Sequence, residues 1–285
     1  MNEGGAADAI RWLGTDDCHA EESVGGKAAS LSRLAARHLV PPGFAITALP
    51  ASATIGDELA QAIERAYEEL ARRCGDPMPA VAVRSSAVDE DGAGSSFAGQ
   101  HATYLNICGA AAVVNAVQRC IQSAESSVAS TYREARGMTM EDVRIAVLVQ
   151  QLVAADVAAV AFSANPVTGD RNEVMITSNW GLGESVVGGM VTPDMFIVRK
   201  DSLVLVMREV GAKEQMTVRS DHGTEEIEPS PAQRTSFSLS DEQAMEIARL
   251  TIALEVHTGA PVDVECAIAG GTLYLLQCRP ITTLR

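Results

Sequence analysis

Lys27 follows a glycine pair in VGGKAASL at 24–31, where apolar residues begin to recur at helical spacing. The first turn of a helix has unpaired N–H groups and the positive end of the helix dipole, so an ammonium beside it suits an anion such as phosphate. The stretch is not a Walker loop: Glu21 takes the place of the first glycine and Ala28 that of the Ser or Thr. A glycine-rich helix start with a solvated lysine is the competing reading. A second cation, Arg84, ends the apolar run VAVRSSA at 81–87 beside two hydroxyls. Its planar donor fork suits a phosphate or a carboxylate equally, so a structural ion pair competes here. The loop DEDGAGSSFAGQ at 89–100 comes next, and its glycines and serines would let backbone N–H groups close over a triphosphate, with Asp89, Glu90 and Asp91 turned outward.

The third group lies near the end of the chain, in VDVECAI at 262–268 and LYLLQCRPIT at 273–282, which read as a hairpin turning around Gly270 and Gly271. Alternation puts Asp263 and Glu265 on one face of the first strand, and Gln277 and Arg279 on one face of the second. In an unbulged hairpin the two sets share a face if the loop has three residues, 269–271, and are separated if it has two. If they converge, the carboxylates and the amide oxygen are hard ligands for Mg²⁺, with Arg279 neutralising phosphate charge beside them. A solvated polar face is the alternative. Taken together, Lys27, Arg84, Arg279, a glycine-rich loop and an acidic ligand set are what ATP requires.

The elements that position these groups can be sketched from periodicity. Helices are expected near 28–35, ended by Pro41-Pro42-Gly43, over 51–74, over 109–136 in two pieces, and over about 240–256. Strands are expected at Phe44–Thr47, Val81–Arg84 and TYLNI at 103–107; 145–153 and 157–163 read as a buried pair. Residues 173–210 alternate short strands with turns, and 213–238 is polar enough for an exposed excursion. Irregular mixing of helices and strands points to α+β lobes rather than a βαβ array.

Composition narrows the function. The 285 residues carry 22 Lys and Arg against 37 Asp and Glu, a formal charge of −15, which repels a polyphosphate backbone over most of the surface. A nucleic-acid partner is not expected. Cysteines 18, 74, 108, 120, 266 and 278 form no C-x-x-C pair and read as reduced core thiols. The N-terminal MNEGGAADAIRW lacks the basic start and apolar run of a signal peptide, and Gln150, Gln151 and Asp156 interrupt the most apolar stretch, 145–162. A cytoplasmic protein without a membrane partner is the expectation.

The ordered motifs VGGKAASL, VPPGFAIT, VRSSA with SFAGQ, VQQLV, FSANPVTGDR, NWGLGES, VTPD, VDVE and LQCRP run from about residue 10 to the end. In this order they resemble the nucleotide-binding domain of the pyruvate phosphate dikinase, phosphoenolpyruvate synthase and rifampin phosphotransferase family. The resemblance implies an ATP-grasp fold of two lobes with the nucleotide cleft between them. Residues 1–140 would form the lobe with Lys27, Arg84 and the phosphate lid, and 141–285 the lobe with the adenine strand and metal hairpin. It implies phosphate contacts from Lys27 and Arg84, Mg²⁺ held by Glu265 and Gln277, and a site completed by Asp263 and Arg279. Adenine would lie against backbone groups of Gln151, Leu152 and Val153, with Glu184 lining the pocket and Gly99 at the centre of the lid. Lys27, Arg84 and Arg279 are the expected catalytic cations, and ATP and Mg²⁺ the expected cofactors.

The family continues into a swivelling domain with a phosphorylated histidine and then into an acceptor-binding domain. None of His19, His38, His101, His222 and His257 stands in the carrier-histidine context. The expected function is therefore a stand-alone ATP-binding subunit that phosphorylates a carrier histidine on a separate protein, converting ATP to AMP. A kinase acting directly on a small-molecule hydroxyl and a non-catalytic nucleotide-binding regulator are the alternatives.

Overall fold

The computed structural model describes residues 7–87, 102–131, 144–221 and 223–281. The expected lid at 89–100, with Gly99, lies outside the described residues, as do residues 132–136 of the helical stretch expected over 109–136. Two compact units divide the chain, Met1–Leu152 and Val153–Arg285.

The first unit contains β1 (Ile10–Trp12), α1 (Glu21–Leu34), β2 (Gly43–Pro50), α2 (Asp57–Cys74), β3 (Val81–Ala87), β4 (Thr103–Ile107), α3 (Ala110–Thr131) and β5 (Arg144–Gln151). Its five strands form one antiparallel sheet in the order β1-β2-β5-β3-β4. Period-two alternation sends Phe44, Ile46, Val81, Val83, Ile145, Val147 and Val149 into the core with Ile63, Leu70, Val113, Val117 and Ile121 of α2 and α3. The same alternation gives Ala82, Arg84 and Ser86 to the opposite face. The expected helix at 51–74 begins only at Asp57.

The second unit contains β6 (Val157–Phe162), β7 (Glu173–Trp180), α4 (Glu184–Val187), β8 (Asp194–Arg199), β9 (Val204–Glu209), β10 (Met216–Ser220), β11 (Gly223–Ile227), α5 (Pro231–Thr235), α6 (Asp241–Thr258), β12 (Val262–Ala269) and β13 (Thr272–Pro280). Six of these strands form a second antiparallel sheet, β13-β12-β6-β7-β8-β9, and β10 and β11 a separate hairpin. The α6 helix starts on a capping box in which the Ser240 side chain accepts from the Gln243 amide. Helices and antiparallel sheets in irregular order make the architecture α+β.

Three expectations need correction. The segments at 145–153 and 157–163 are both strands, but they do not pair: β5 lies between β2 and β3, and β6 between β12 and β7. Because β5 completes the first sheet, the chain divides after Leu152 rather than at residue 140. The stretch 213–238 is not simply exposed, since it holds β10, β11 and α5 and its first residue, Lys213, is fully buried.

Candidate functional site

In the first unit, α1 is interrupted at Gly25, whose φ of 75° and ψ of 163° are not helical, so the regular helix that carries Lys27 starts at Gly26. A Cβ on Gly25 would lie 2.2 Å from the Ser86 carbonyl oxygen, so glycine is what lets this turn approach β3. The contact joins two of the predicted phosphate motifs. Lys27 Nζ donates to Ser85 O at 3.3 Å, and the Ala28 amide donates to Ser86 Oγ at 3.4 Å. Arg84 precedes them on β3, opposite Thr103 of β4 and Leu148 of β5. VGGK and VRSS are therefore one local structure.

VQQLV occupies the end of β5 and the turn after it. The amides of Gln151 and Leu152 donate to Pro42 O and Ala80 O at 2.9 and 2.8 Å, so neither is available to a base. Gln150, on the Arg84 face, is buried and donates its side-chain amide to Pro41 O at 3.1 Å.

In the second unit the hairpin turns on two residues, Gly270 and Gly271, with φ of 54° and 78°. On the sequence argument that loop length should separate the two polar sets. It does not, because the register shifts: Cys266 faces Leu275, whereas Glu265 faces Gln277 and Asp263 faces Arg279. Leu276 is the extra residue of a β-bulge, and the bulge returns Gln277 and Arg279 to the face of Glu265 and Asp263.

Arg279 Nε and Nη2 donate to the same Asp263 oxygen, Oδ2, at 2.8 and 2.7 Å. The other oxygen, Asp263 Oδ1, is buried with no hydrogen-bond partner among the described residues. A buried carboxylate oxygen left unpaired is costly, and a cation beside it would remove the cost. Glu265, partly exposed, and Gln277, 6% exposed, supply further oxygens from the same face. No cluster of three His, Cys, Asp or Glu among the described residues forms a self-sufficient metal cage. Two carboxylates and an amide instead fit an ion such as Mg²⁺, which keeps positions for phosphate and water. Cys266 alternates to the other side of β12, and burial first, then the Glu265 charge, raises its thiol pKa far above the ordinary value, so it stays protonated.

Glu184 opens the short α4, half-buried, after the turn Gly181–Gly183. The sequence reading missed what holds this turn: the Leu182 amide donates to Thr217 O, and Asn179 Nδ2 donates to Gln215 O and Ser185 Oγ. The motif VTPD was visible, but nothing in the sequence linked its aspartate, Asp194, to the buried Lys213 with which it forms an ion pair.

Residues 48–285 match the family described as "Pyruvate phosphate dikinase, AMP/ATP-binding domain". Among curated relatives, the chain is 43% identical over 234 residues to the "Probable phosphoenolpyruvate synthase" of Methanocaldococcus jannaschii, covering 82% of this chain and 20% of that protein. It is 41% identical over 250 residues to the "Phosphoenolpyruvate synthase" of Pyrococcus furiosus, covering 85% and 31%. The "Uncharacterized phosphotransferase YvkC" of Bacillus subtilis is 41% identical over 233 residues, covering 82% and 27%. The chain thus spans between 20% and 31% of the length of these three relatives. With the predicted motifs in order and the match running through the bulged hairpin, the chain belongs to the pyruvate phosphate dikinase AMP/ATP-binding domain family.

Proposed function

We propose that this chain binds MgATP as an ATP-grasp module and drives phosphorylation of a carrier histidine on a separate protein, releasing AMP. The observation that carries this reading is the single sheet face shared by Asp263, Glu265, Gln277 and Arg279, with one buried Asp263 oxygen that has no hydrogen-bond partner among the described residues. The packing of VGGK against VRSS supports a phosphate-binding role for Lys27 and Arg84. The names of the relatives support a dikinase-type reaction rather than simple nucleotide storage.

Release of AMP requires cleavage of the bridge between the α- and β-phosphates. A neutral imidazole nitrogen attacks the β-phosphorus with its lone pair, AMP leaves with the bridging oxygen, and the histidine carries both outer phosphates. The attacking nitrogen needs no general base. Lys27, Arg84 and Arg279 would oppose the negative charge that shifts onto the leaving oxygen and the transferred group. Glu265 and Gln277, with Asp263 beside them, would hold Mg²⁺. When bound, that ion neutralises phosphate charge and fixes the phosphate orientation. Catalysis on this view is positional and electrostatic.

A nucleotide-product assay with and without candidate histidine-carrier proteins tests the proposal. AMP release, together with acid-labile, base-stable label on the carrier, is expected. ADP release with a hydroxyl acceptor would reassign the chain to small-molecule kinases, and saturable ATP binding without turnover under any condition would make it a regulator.

A further inference from the structure

Lys213 and Asp194 are both fully buried and form an ion pair at 2.5 Å. The Asp194 carboxylate ties three segments together. Its Oδ1 accepts from Lys213 Nζ and, at 2.9 Å, from the Gly211 amide. Its Oδ2 accepts from the amide and hydroxyl of Ser238 at 2.6 and 2.8 Å. Lys213 also donates from Nζ to Gly211 O at 3.1 Å and from its backbone amide to Thr192 O at 3.0 Å. Its backbone sits at φ 44°, in the left-handed region that a side chain disfavours.

A buried ion pair is a poor device for stability, because apolar residues of similar volume serve that purpose as well or better. Such a pair can instead serve to fix one geometry. The geometry specified here is that of the segment 211–217, which bears directly on the Glu184 turn. Thr217 O accepts from the Leu182 amide at 2.8 Å, and a Cβ on Gly181 would lie 2.3 Å from the same oxygen. Two residues earlier, Gln215 O accepts from Asn179 Nδ2 at 2.8 Å, and that same nitrogen donates to Ser185 Oγ at 3.1 Å. A path therefore runs from Asp194 to Lys213 by the ion pair, along the backbone to Gln215 and Thr217, and by hydrogen bonds to Leu182 and, through Asn179, to Ser185, on either side of Glu184.

We propose that Asp194 and Lys213 are positioning residues for Glu184, setting the height of the 211–217 segment and thereby the place of the carboxylate in the nucleotide pocket. The inference rests on the assignment of Glu184 to that pocket, so its test has one readout that needs no nucleotide.

The paired replacement Asp194→Asn with Lys213→Met removes both charges together. By hydrogen exchange the Leu182 amide and those of 184–188 should open about tenfold faster, with β12 and β13 amides unchanged. ATP affinity by calorimetry should fall about tenfold, but less than about twofold in a Glu184→Gln background, the non-additivity expected of residues acting through one another. A second variant covers the case in which the pair cannot be replaced without unfolding. Glu214→Ala removes an exposed clasp in which the Glu214 carboxylate accepts from the Thr192 amide and hydroxyl at 2.8 and 3.0 Å, and it should speed the same amides about threefold. Unchanged exchange around Glu184 in the folded variants, or a full affinity loss repeated in the Glu184→Gln background, would overturn the proposal. Faster exchange in a protein whose wild type binds no ATP would sink the nucleotide assignment and leave the positioning role standing.

Discussion

Glu265 lies directly across the strand pair from Gln277, although the turn that joins their strands has only two residues. A regular ladder from that turn would set Glu265 against Leu276 and send Gln277 to the other face. One extra residue in β13 reverses the outcome and puts two oxygen-bearing side chains next to each other.

If that pair holds the metal, removing the charge of Glu265 or the amide oxygen of Gln277 should weaken Mg²⁺ without unfolding the hairpin. Glu265→Gln and Gln277→Ala are each expected to raise the Mg²⁺ concentration needed for half-maximal ATP binding by about tenfold or more. Calorimetric titration at several Mg²⁺ concentrations reads this directly. An unchanged Mg²⁺ dependence would remove the substituted residue from the ligand set.

Arg279 places two donors on one oxygen of Asp263, a geometry that a lysine cannot reproduce. Both Arg279→Ala and Arg279→Lys should therefore lower kcat/KM for ATP, the alanine by about 100-fold and the lysine by less. Turnover equal to wild type in the lysine variant would show that charge alone suffices.

The close approach of Gly25 to Ser86 predicts an asymmetry between two glycines. Gly25→Ala forces a side chain into a positive-φ position against a backbone carbonyl and should cost about 2–3 kcal/mol. Gly56→Ala, at a position with nothing within 4 Å, should change stability by about 0.5 kcal/mol or less. Denaturant unfolding of both variants checks this. ATP affinity should fall with the first only, because Lys27 stands two residues from the strained position.

Burial raises the thiol of Cys18 from an ordinary 9.0 to about 11 and that of Cys120 to about 12. Above pH 9 the unfolded chain loses these protons while the folded chain retains them, so stability falls as pH rises from about 9 towards 11. Replacing Cys18 and Cys120 by alanine should flatten that alkaline slope in pH-dependent unfolding. Alkylation at pH 8 should modify the partly exposed Cys74 and Cys108 well before Cys18, Cys120, Cys266 or Cys278.

Local patterns made much of the fold legible. The α6 helix was legible from helical spacing over about 240–256, and the terminal hairpin from alternation on both sides of a glycine pair. The cations and oxygen donors of the candidate site could likewise be picked out by residue type, since hard ligands and phosphate contacts draw on few side chains. The pairing of β5 with β2 and β3 was not legible, because a buried strand carries the same apolar run whichever sheet receives it.

The amino-acid order alone was enough to assign the α+β class, most elements and the family. Three features required the folded chain: the register shift at Leu276, the docking of Gly25 on Ser86, and the burial of Lys213 against Asp194. Each depends on contacts between residues distant along the chain or on a one-residue slip. Periodicity reports which way a side chain points within its own element, but neither what waits there nor where a ladder skips a residue.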